Sequence, residues 1–518
     1  MNNYPSIFND VIGPVMRGPS SSHCAAALRI GRMARDLMHG NINKVSITYD
    51  PNGSLVTTHE SQGSDMGLYS GLLGYETFDE KLLHYKEEIA KAEITVNVSY
   101  KDINARHPNT YYIELTNVYG SHEITALSLG GGMVEITNID GVDVSLKGDC
   151  FETLIYIDNG ESRLITMLAS ALKPLSISLN TGTKTFIEVK TSAAIPEEII
   201  NNLKNHPGVL YIAAINPVLP VLTGQNQSVP FITAHEMEEY NKDKNLELWQ
   251  LAVEYESIRG NIGKEEVFGR MKNLIRVMND SVQTGLQGTD YKDRILPPQS
   301  ANYKNLFESG RLIGGDVHNL ITFYTSAIME VKSSMGVIVA APTAGSCGSV
   351  AGPVLAVAHY LKLDEDAITK AMLIAGLIGV FIVSRSTFAA EDAGCQAECG
   401  SGSGMSAAAL AFLGGGNICH SLSAASLALQ NSFGMTCDPI ASRVEAPCLG
   451  KNIMAGMNAL ACANMALAGY NNLIPLDEVI EAFDKTGRSL PRELRCTALG
   501  GLSLTKSSKI IEEGLYKQ

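Results

Sequence analysis

Gly394-Cys395-Gln396-Ala397-Glu398-Cys399-Gly400-Ser401-Gly402-Ser403-Gly404 is a polar, glycine-rich stretch set among apolar segments. Such a loop is costly to bury unless its backbone groups bind something. Three further strings share the pattern: Ala341-Pro342-Thr343-Ala344-Gly345-Ser346-Cys347-Gly348, Thr436-Cys437-Asp438-Pro439 and Ala446-Pro447-Cys448. Each interruption carries a cysteine. From Thr233 onward Ala, Leu, Met and Gly dominate at helical spacings, and 421–433 and 452–470 have few β-branched residues. Residues 233–518 are therefore predicted to form an all-α domain.

Working outward from that half, residues 150–222 read as strand (153–157), helix (162–171), two strands (175–179, 185–189), helix (196–204) and strand (209–215). That β-α-β-β-α-β order is ferredoxin-like. Residues 223–231 are polar and punctuated by Pro and Gly, as a linker would be. Residues 1–145 combine the turn Arg17-Gly18-Pro19-Ser20-Ser21-Ser22-His23, a helix from 25 to 39 and alternating strands at 45–49 and 94–98, which predicts an α+β domain. At 518 residues a multidomain chain is expected, since domains run to roughly 100–200 residues each.

A net charge of −14 argues against nucleic acid and anionic membrane surfaces as partners, and no Lys/Arg run offsets it locally. The N-terminus has no basic region followed by an apolar stretch, so no secretory signal is read there. The longest apolar run, 371–383, falls short of the roughly 18 residues of a membrane span and reads as a buried helix. Ten cysteines in a chain of this length then imply reduced thiols and a cytoplasmic protein.

Eight of the ten cysteines lie between Cys347 and Cys496. Cys419, Cys462 and Cys496 read as small core hydrophobes. Cys395, Cys437 and Cys448 sit beside Gly, Asp and Pro at loops or helix ends, where a thiolate can face a cavity. Cys395 and Cys399 make one zinc-like pair, but no second pair or matching histidines follow. Three dispersed thiolates favour an iron–sulfur cluster with one iron unprotected by protein.

Taken in order, GPSSSH near the N-terminus, PTAGSCG, GCQAE, CDP and APC resemble the iron–sulfur-dependent L-serine dehydratases (L-serine ammonia-lyases). The separations agree, with 41 residues between Cys395 and Cys437 and 10 between Cys437 and Cys448. The resemblance implies a β domain at 1–145, an ACT-like module at 150–222 and a helical α domain at 233–518, in which Cys395, Cys437 and Cys448 hold a [4Fe-4S] cluster. It also implies a homodimer acting on a small amino acid. Relatives without the ACT module can carry a C-terminal cysteine that caps the cluster; this chain ends Gly514-Leu-Tyr-Lys-Gln518, so that capping is not expected.

The chemistry such a family performs needs an electrophile for the β-hydroxyl and a base for the Cα proton. His23 is the candidate base, with Ser22 beside it. Ser20, Ser21, Gln62, Asp65, Thr343, Gly345 and Ser346 are candidate substrate contacts, and Cys347 is expected to line their pocket rather than bind iron.

Two departures from the family's text stand out. Cys24 replaces the threonine of SSHT, and Gln62 replaces the histidine of HGTD. Gln has no useful pKa and can position a substrate without accepting its proton. His59 lies three residues upstream of Gln62, which on a strand would put it on the opposite face. Two alternatives stay open: the same chemistry on L-cysteine or L-threonine, or a non-catalytic sensor of iron, oxygen or amino acid.

Overall fold

A computed structural model of the chain describes residues 4–158, 161–224, 228–292 and 294–515. Part of the connection between the strand predicted at 153–157 and the helix predicted at 162–171, and part of the 223–231 linker, lie outside the described residues, as do the last three residues. The chain is multidomain, with a mixed α/β N-terminal region and a helical C-terminal region.

The first sheet runs in the order Thr95–Tyr100, Lys44–Tyr49, Thr110–Asn117, Gly120–Gly130, Met133–Ile139, Val142–Leu146. Lys44–Tyr49 and Thr95–Tyr100 are parallel, with Val45 opposite Val96, and the other neighbours are antiparallel. Alternation of Val45, Ile47 and Tyr49 with polar residues gives one buried face, as period-2 patterning requires. The helices Ala26–Leu37 and Ser64–Leu72 share that face's core. They meet backbone to backbone: a Cβ on Gly67 would stand 2.0 Å from the Cys24 carbonyl oxygen, and one on Gly71 2.1 Å from that of Leu28. Only glycine fits at either position.

The second sheet is antiparallel throughout, in the order Val209–Ile215, Phe151–Ile157, Thr185–Thr191, Ser176–Thr181. The helices Glu161–Leu172 and Glu197–Lys204 pack on one face, where Leu164, Leu168 and Leu203 meet Ile155, Ile187 and Val189. Leu154, Tyr156, Phe186 and Ala213 point the other way and join the core of the first sheet. At that seam buried Asp140 takes hydrogen bonds from His122 Nδ1 (2.6 Å), the Tyr156 hydroxyl (2.9 Å) and the Glu123 N–H (3.0 Å), with Lys184 Nζ at 3.2 Å.

Among the described residues after Ile215, the regular elements are helical apart from Ile338–Val339, a two-residue strand paired with Val15–Met16. That pairing reflects an arrangement the sequence reading did not anticipate. The first residues of the chain belong physically to the helical core: Ile7, Phe8, Val11 and Ile12 are buried in it. The fully buried Glu256 carboxylate receives the Ser6 hydroxyl and the Ile7 N–H, the latter at 2.7 Å. The helix Glu365–Val383 is long and apolar enough to cross a membrane by length and composition, and Ala371 through Ile382 are buried inside the protein.

Burial pushes the Asp140 carboxyl up, but the His122 hydrogen bond and charge, the Glu123 N–H and Lys184 outweigh it and hold it below the ordinary carboxylate range. Its contribution is therefore complete above the unfolded-state pKa and is lost as the pH falls through the depressed folded value. Asp140→Ala leaves His122 and Tyr156 without their acceptor. It is expected to cost about 3 kcal/mol at neutral pH, read from urea unfolding, with the gap to the parent protein closing in acid.

Candidate functional site

Two rare one-turn π-helical segments carry the key motifs. Ser21–Ala25 opens the helix Ala26–Leu37, and Gln396–Gly400 follows Cys395 directly and opens the helix Ser401–Leu413. Such turns shift side-chain directions relative to an α-helix and recur at functional sites. Both border one cavity between the two regions of the protein. Ser20, Ser22 and Gln62 line it from the N-terminal side; Thr343, Gly345, Glu391 and Glu398 line it from the helical side, with the thiols of Cys437, Cys448 and Cys496. Of the other sequence-derived candidates, His23, Ser346 and Cys395 touch residues of this wall and Ser21 lies between two of them, whereas Asp65 belongs to His59.

Hydrogen bonds sew the two sides together. Ser21 Oγ accepts the Ala344 N–H at 3.2 Å, and Ser22 Oγ donates to Glu391 Oε1 at 3.0 Å. Thr343 and Ser346 bond each other, and Thr343 Oγ1 donates to Glu398 Oε1 at 2.6 Å. Burial pushes the Glu398 carboxyl up to about 7, partly opposed by the Thr343 bond.

His23 is fully buried, and burial holds its imidazole below the ordinary value against the pull of Glu391. Its tautomer follows from its neighbours. Thr58 Oγ1 spends its proton on the Ser54 carbonyl (2.7 Å), so it accepts from His23 Nε2–H at 2.9 Å. Nδ1 is then the acceptor, and Ser20 Oγ lies 3.0 Å away to donate to it. His23 thus meets the cavity through the Ser20 and Ser22 hydroxyls.

Four buried thiols gather at the helical wall. Cys395 and Cys437 offer sulfurs that, with a Glu398 oxygen, lie within 4.8 Å of one another. The Cys437 thiol hydrogen-bonds to both Cys395 and Cys496, and these bonds, then burial, push it well above its ordinary value. Cys448 begins the helix Cys448–Leu467, where backbone N–H groups favour a thiolate. Burial raises its pKa, and the charges of Lys332 and Lys451 oppose that rise. Lys332 is fully buried with its ammonium on the Val444 carbonyl; Lys451 Nζ donates to the Thr436 carbonyl (2.6 Å) and Asp438 Oδ1 (2.9 Å). Soft sulfur donors flanked by two ammonium groups suit an anionic iron–sulfur cluster and do not suit a hard cation.

Several expectations change. Residues 55–58 form a helical turn rather than a strand, and it is the following turn that sends Gln62 to this cavity and His59 to another. That second cavity, of about 720 Å³, is also lined by Tyr100, Arg443 and Lys509. His59 bonds both oxygens of Asp65 through Nδ1 at 2.9 Å and Tyr100 through Nε2 at 2.8 Å, so Asp65 serves His59. Cys347 packs against Met329 Sδ at 3.8 Å instead of facing the pocket. Cys419 is exposed, Cys462 is buried, and Cys496 is buried at the site itself. Cys24 donates to the Arg17 carbonyl at 3.3 Å, as a hydroxyl would; burial pushes its thiol up to about 12, so it stays protonated.

Glu391, Lys332, Lys451 and Cys496 escaped the sequence reading. Glu391 sits three residues before the Gly394–Gly404 string and was within reach of it; the lysines carried no local signal.

With this geometry in view, the comparisons are specific. Residues 243–503 match the family described as serine dehydratase alpha chain. A probable L-serine dehydratase alpha chain of Bacillus subtilis is 34% identical over 286 residues, 55% of this chain and 95% of the relative. The probable beta chain of the same organism is 32% identical over 221 residues, 41% of this chain and 98% of that one. An L-serine dehydratase of Streptomyces coelicolor is 27% identical over 504 residues, 94% and 96% of the two chains. The chain belongs to the serine dehydratase family. It is an enzyme of the carbon–nitrogen lyase class.

Nine of the ten thiols are buried and Cys419 alone is exposed. Iron-free, folded protein is expected to show one fast-reacting thiol toward an aromatic disulfide reagent, absent in Cys419→Ala, with the others reacting only in denaturant.

Proposed function

We propose that the enzyme deaminates L-serine to pyruvate and ammonia by α,β-elimination of water, with a [4Fe-4S] cluster held by Cys395, Cys437 and Cys448. The observation that carries this reading is the meeting of Cys437 and Cys448, with Cys395 beside Cys437, and the Ser20, Ser22, Gln62 and Thr343 side chains about one cavity. When bound, the cluster supplies the Lewis acid that a poor hydroxide leaving group requires.

The protein's own groups do the rest. Glu391 gives the cavity a carboxylate that favours the α-ammonium. Gln62 adds to it: its Oε1 is buried and has no hydrogen-bond partner among the described residues. A buried acceptor left unpaired is costly, and an ammonium N–H satisfies it. A proton leaving Cα is held at His23 Nδ1, passed through the Ser20 hydroxyl that donates to that atom. The neutral imidazole fixed by Thr58 keeps the lone pair ready. Aminoacrylate released from the elimination tautomerises and hydrolyses without help from the protein. Residues 150–222, with their β-α-β-β-α-β order, act in this reading as an ACT-like module.

Cys395→Ala, Cys437→Ala and Cys448→Ala should each abolish the brown absorbance, the bound iron and pyruvate formation, while Cys419→Ala retains all three; unchanged iron in Cys437→Ala overturns the ligand assignment. His23→Asn should keep the absorbance and lower kcat by about two to four orders of magnitude. Serine, threonine and cysteine are to be compared side by side. A kcat/KM for cysteine above that for serine would transfer the same site to a different substrate.

A further inference from the structure

We propose that Cys496 is a fourth protein thiolate for the cluster, an inference that rests on the reading of Cys395, Cys437 and Cys448 as its other ligands.

Cys496 is brought to the site by backbone pairing. The Cys437 N–H donates to the Leu494 carbonyl at 2.8 Å and the Cys496 N–H to the Cys437 carbonyl at 3.0 Å, so the two cysteines ride on one short bridge. Cys496 packs with Cys395 and Cys437 in one buried cluster and lines the same cavity as Cys437 and Cys448. The residue pays for this place: its φ is +59°, left-handed backbone that a non-glycine residue adopts rarely and mostly where function or packing demands it. Gln62 Nε2 points at its sulfur from across the cavity at 3.9 Å, a donor suited to a sulfur that carries charge. The other buried thiols of the helical region, Cys399, Cys347 and Cys462, do not line that cavity. Cys399 faces Asn452 Nδ2 at 3.5 Å, Cys347 faces Met329, and Cys462 faces Asn431 at 3.4 Å.

Four cysteine thiolates complete the protein ligand set of a [4Fe-4S] cluster. Ligation involves no electron transfer: the Cys496 S–H bond breaks, its proton leaves to solvent, and a sulfur–iron bond forms. A substrate oxygen bound at this iron would take the place of Cys496, whose sulfur would regain its proton from solvent. The iron is then shielded whenever substrate is absent, in contrast to the open cluster expected from three ligands alone.

The test uses the full chain reconstituted anaerobically with iron and sulfide, as parent protein, Cys496→Ala, Cys496→Ser, Cys437→Ala and Cys419→Ala. Each is treated with ferricyanide and a chelator, and the three-iron cluster is followed by its EPR signal. Parent and Cys419→Ala are expected to lose iron slowly, and Cys496→Ala about tenfold faster. Cys496→Ser, closer in size and a weaker ligand, should lie between them and guards against loss of fold, which circular dichroism monitors. L-serine should speed the parent toward the rate of Cys496→Ala. Equal rates in parent and both Cys496 variants, with Cys437→Ala devoid of cluster, overturn the role of Cys496 and leave the three-ligand reading standing. A parent protein that takes up no cluster overturns both.

Discussion

The close apposition of polar groups across the seam between the two regions is the constraint on which the site depends. Ser21, Ser22, Thr343 and Glu391 are buried there; Ser21 takes the Ala344 N–H and Ser22 donates to Glu391 across the seam, while Thr343 donates to the half-buried Glu398 on its own side. A buried hydroxyl or carboxylate left unpaired costs more than its bond contributes when made. The seam is therefore stable in register and unstable if slid. This fixes the hydroxyls of one region against the thiols of the other without any loop having to be stiff by itself.

Electrostatics follow from that geometry. Glu391, the half-buried Glu398 and three thiols line one small cavity, and Lys332 and Lys451, whose own partners are mainly carbonyls and Asp438, act on the Cys448 thiol there. The lysines oppose the rise that burial imposes on the Cys448 thiol. Glu398 stands among the thiols, within 4.8 Å of the Cys395 and Cys437 sulfurs, while Glu391 takes the Ser22 hydroxyl of the other region.

Much of the secondary structure was legible in the sequence, because local periodicity and turn residues set it. The order of strands and helices in 150–222 matches the predicted one within a few residues, and the helix predicted at 25–39 spans Ala26–Leu37. Ser20, Ser22, Gln62, Thr343, Gly345, Cys437 and Cys448 do line one cavity. What escaped depends on long-range placement. Nothing near residue 7 announces burial in a helical core hundreds of residues away, and nothing near residue 496 announces a bridge to Cys437. Cys496 read as an ordinary core cysteine because its surroundings, Arg495 and Thr497, carry no motif; only the pairing of two distant segments gives it meaning. His23 was found but its setting was not, since its access to the cavity through Ser20 depends on Thr58 taking the opposite nitrogen.

The anchoring of the first residues in the helical core bears on how such an enzyme is encoded. Ser6 and Ile7 on Glu256, the short pairing of Val15–Met16 with Ile338–Val339, and Ser21 on Ala344 are all noncovalent, and together they hold the regions in place independently of the linker. A gene could be cut between the regions without dissolving the enzyme, in keeping with Bacillus subtilis relatives described as separate alpha and beta chains. Fusion then changes the accounting of assembly. A tether turns a concentration-dependent encounter into an intramolecular one, so half-sites stay matched one to one however little protein the cell makes.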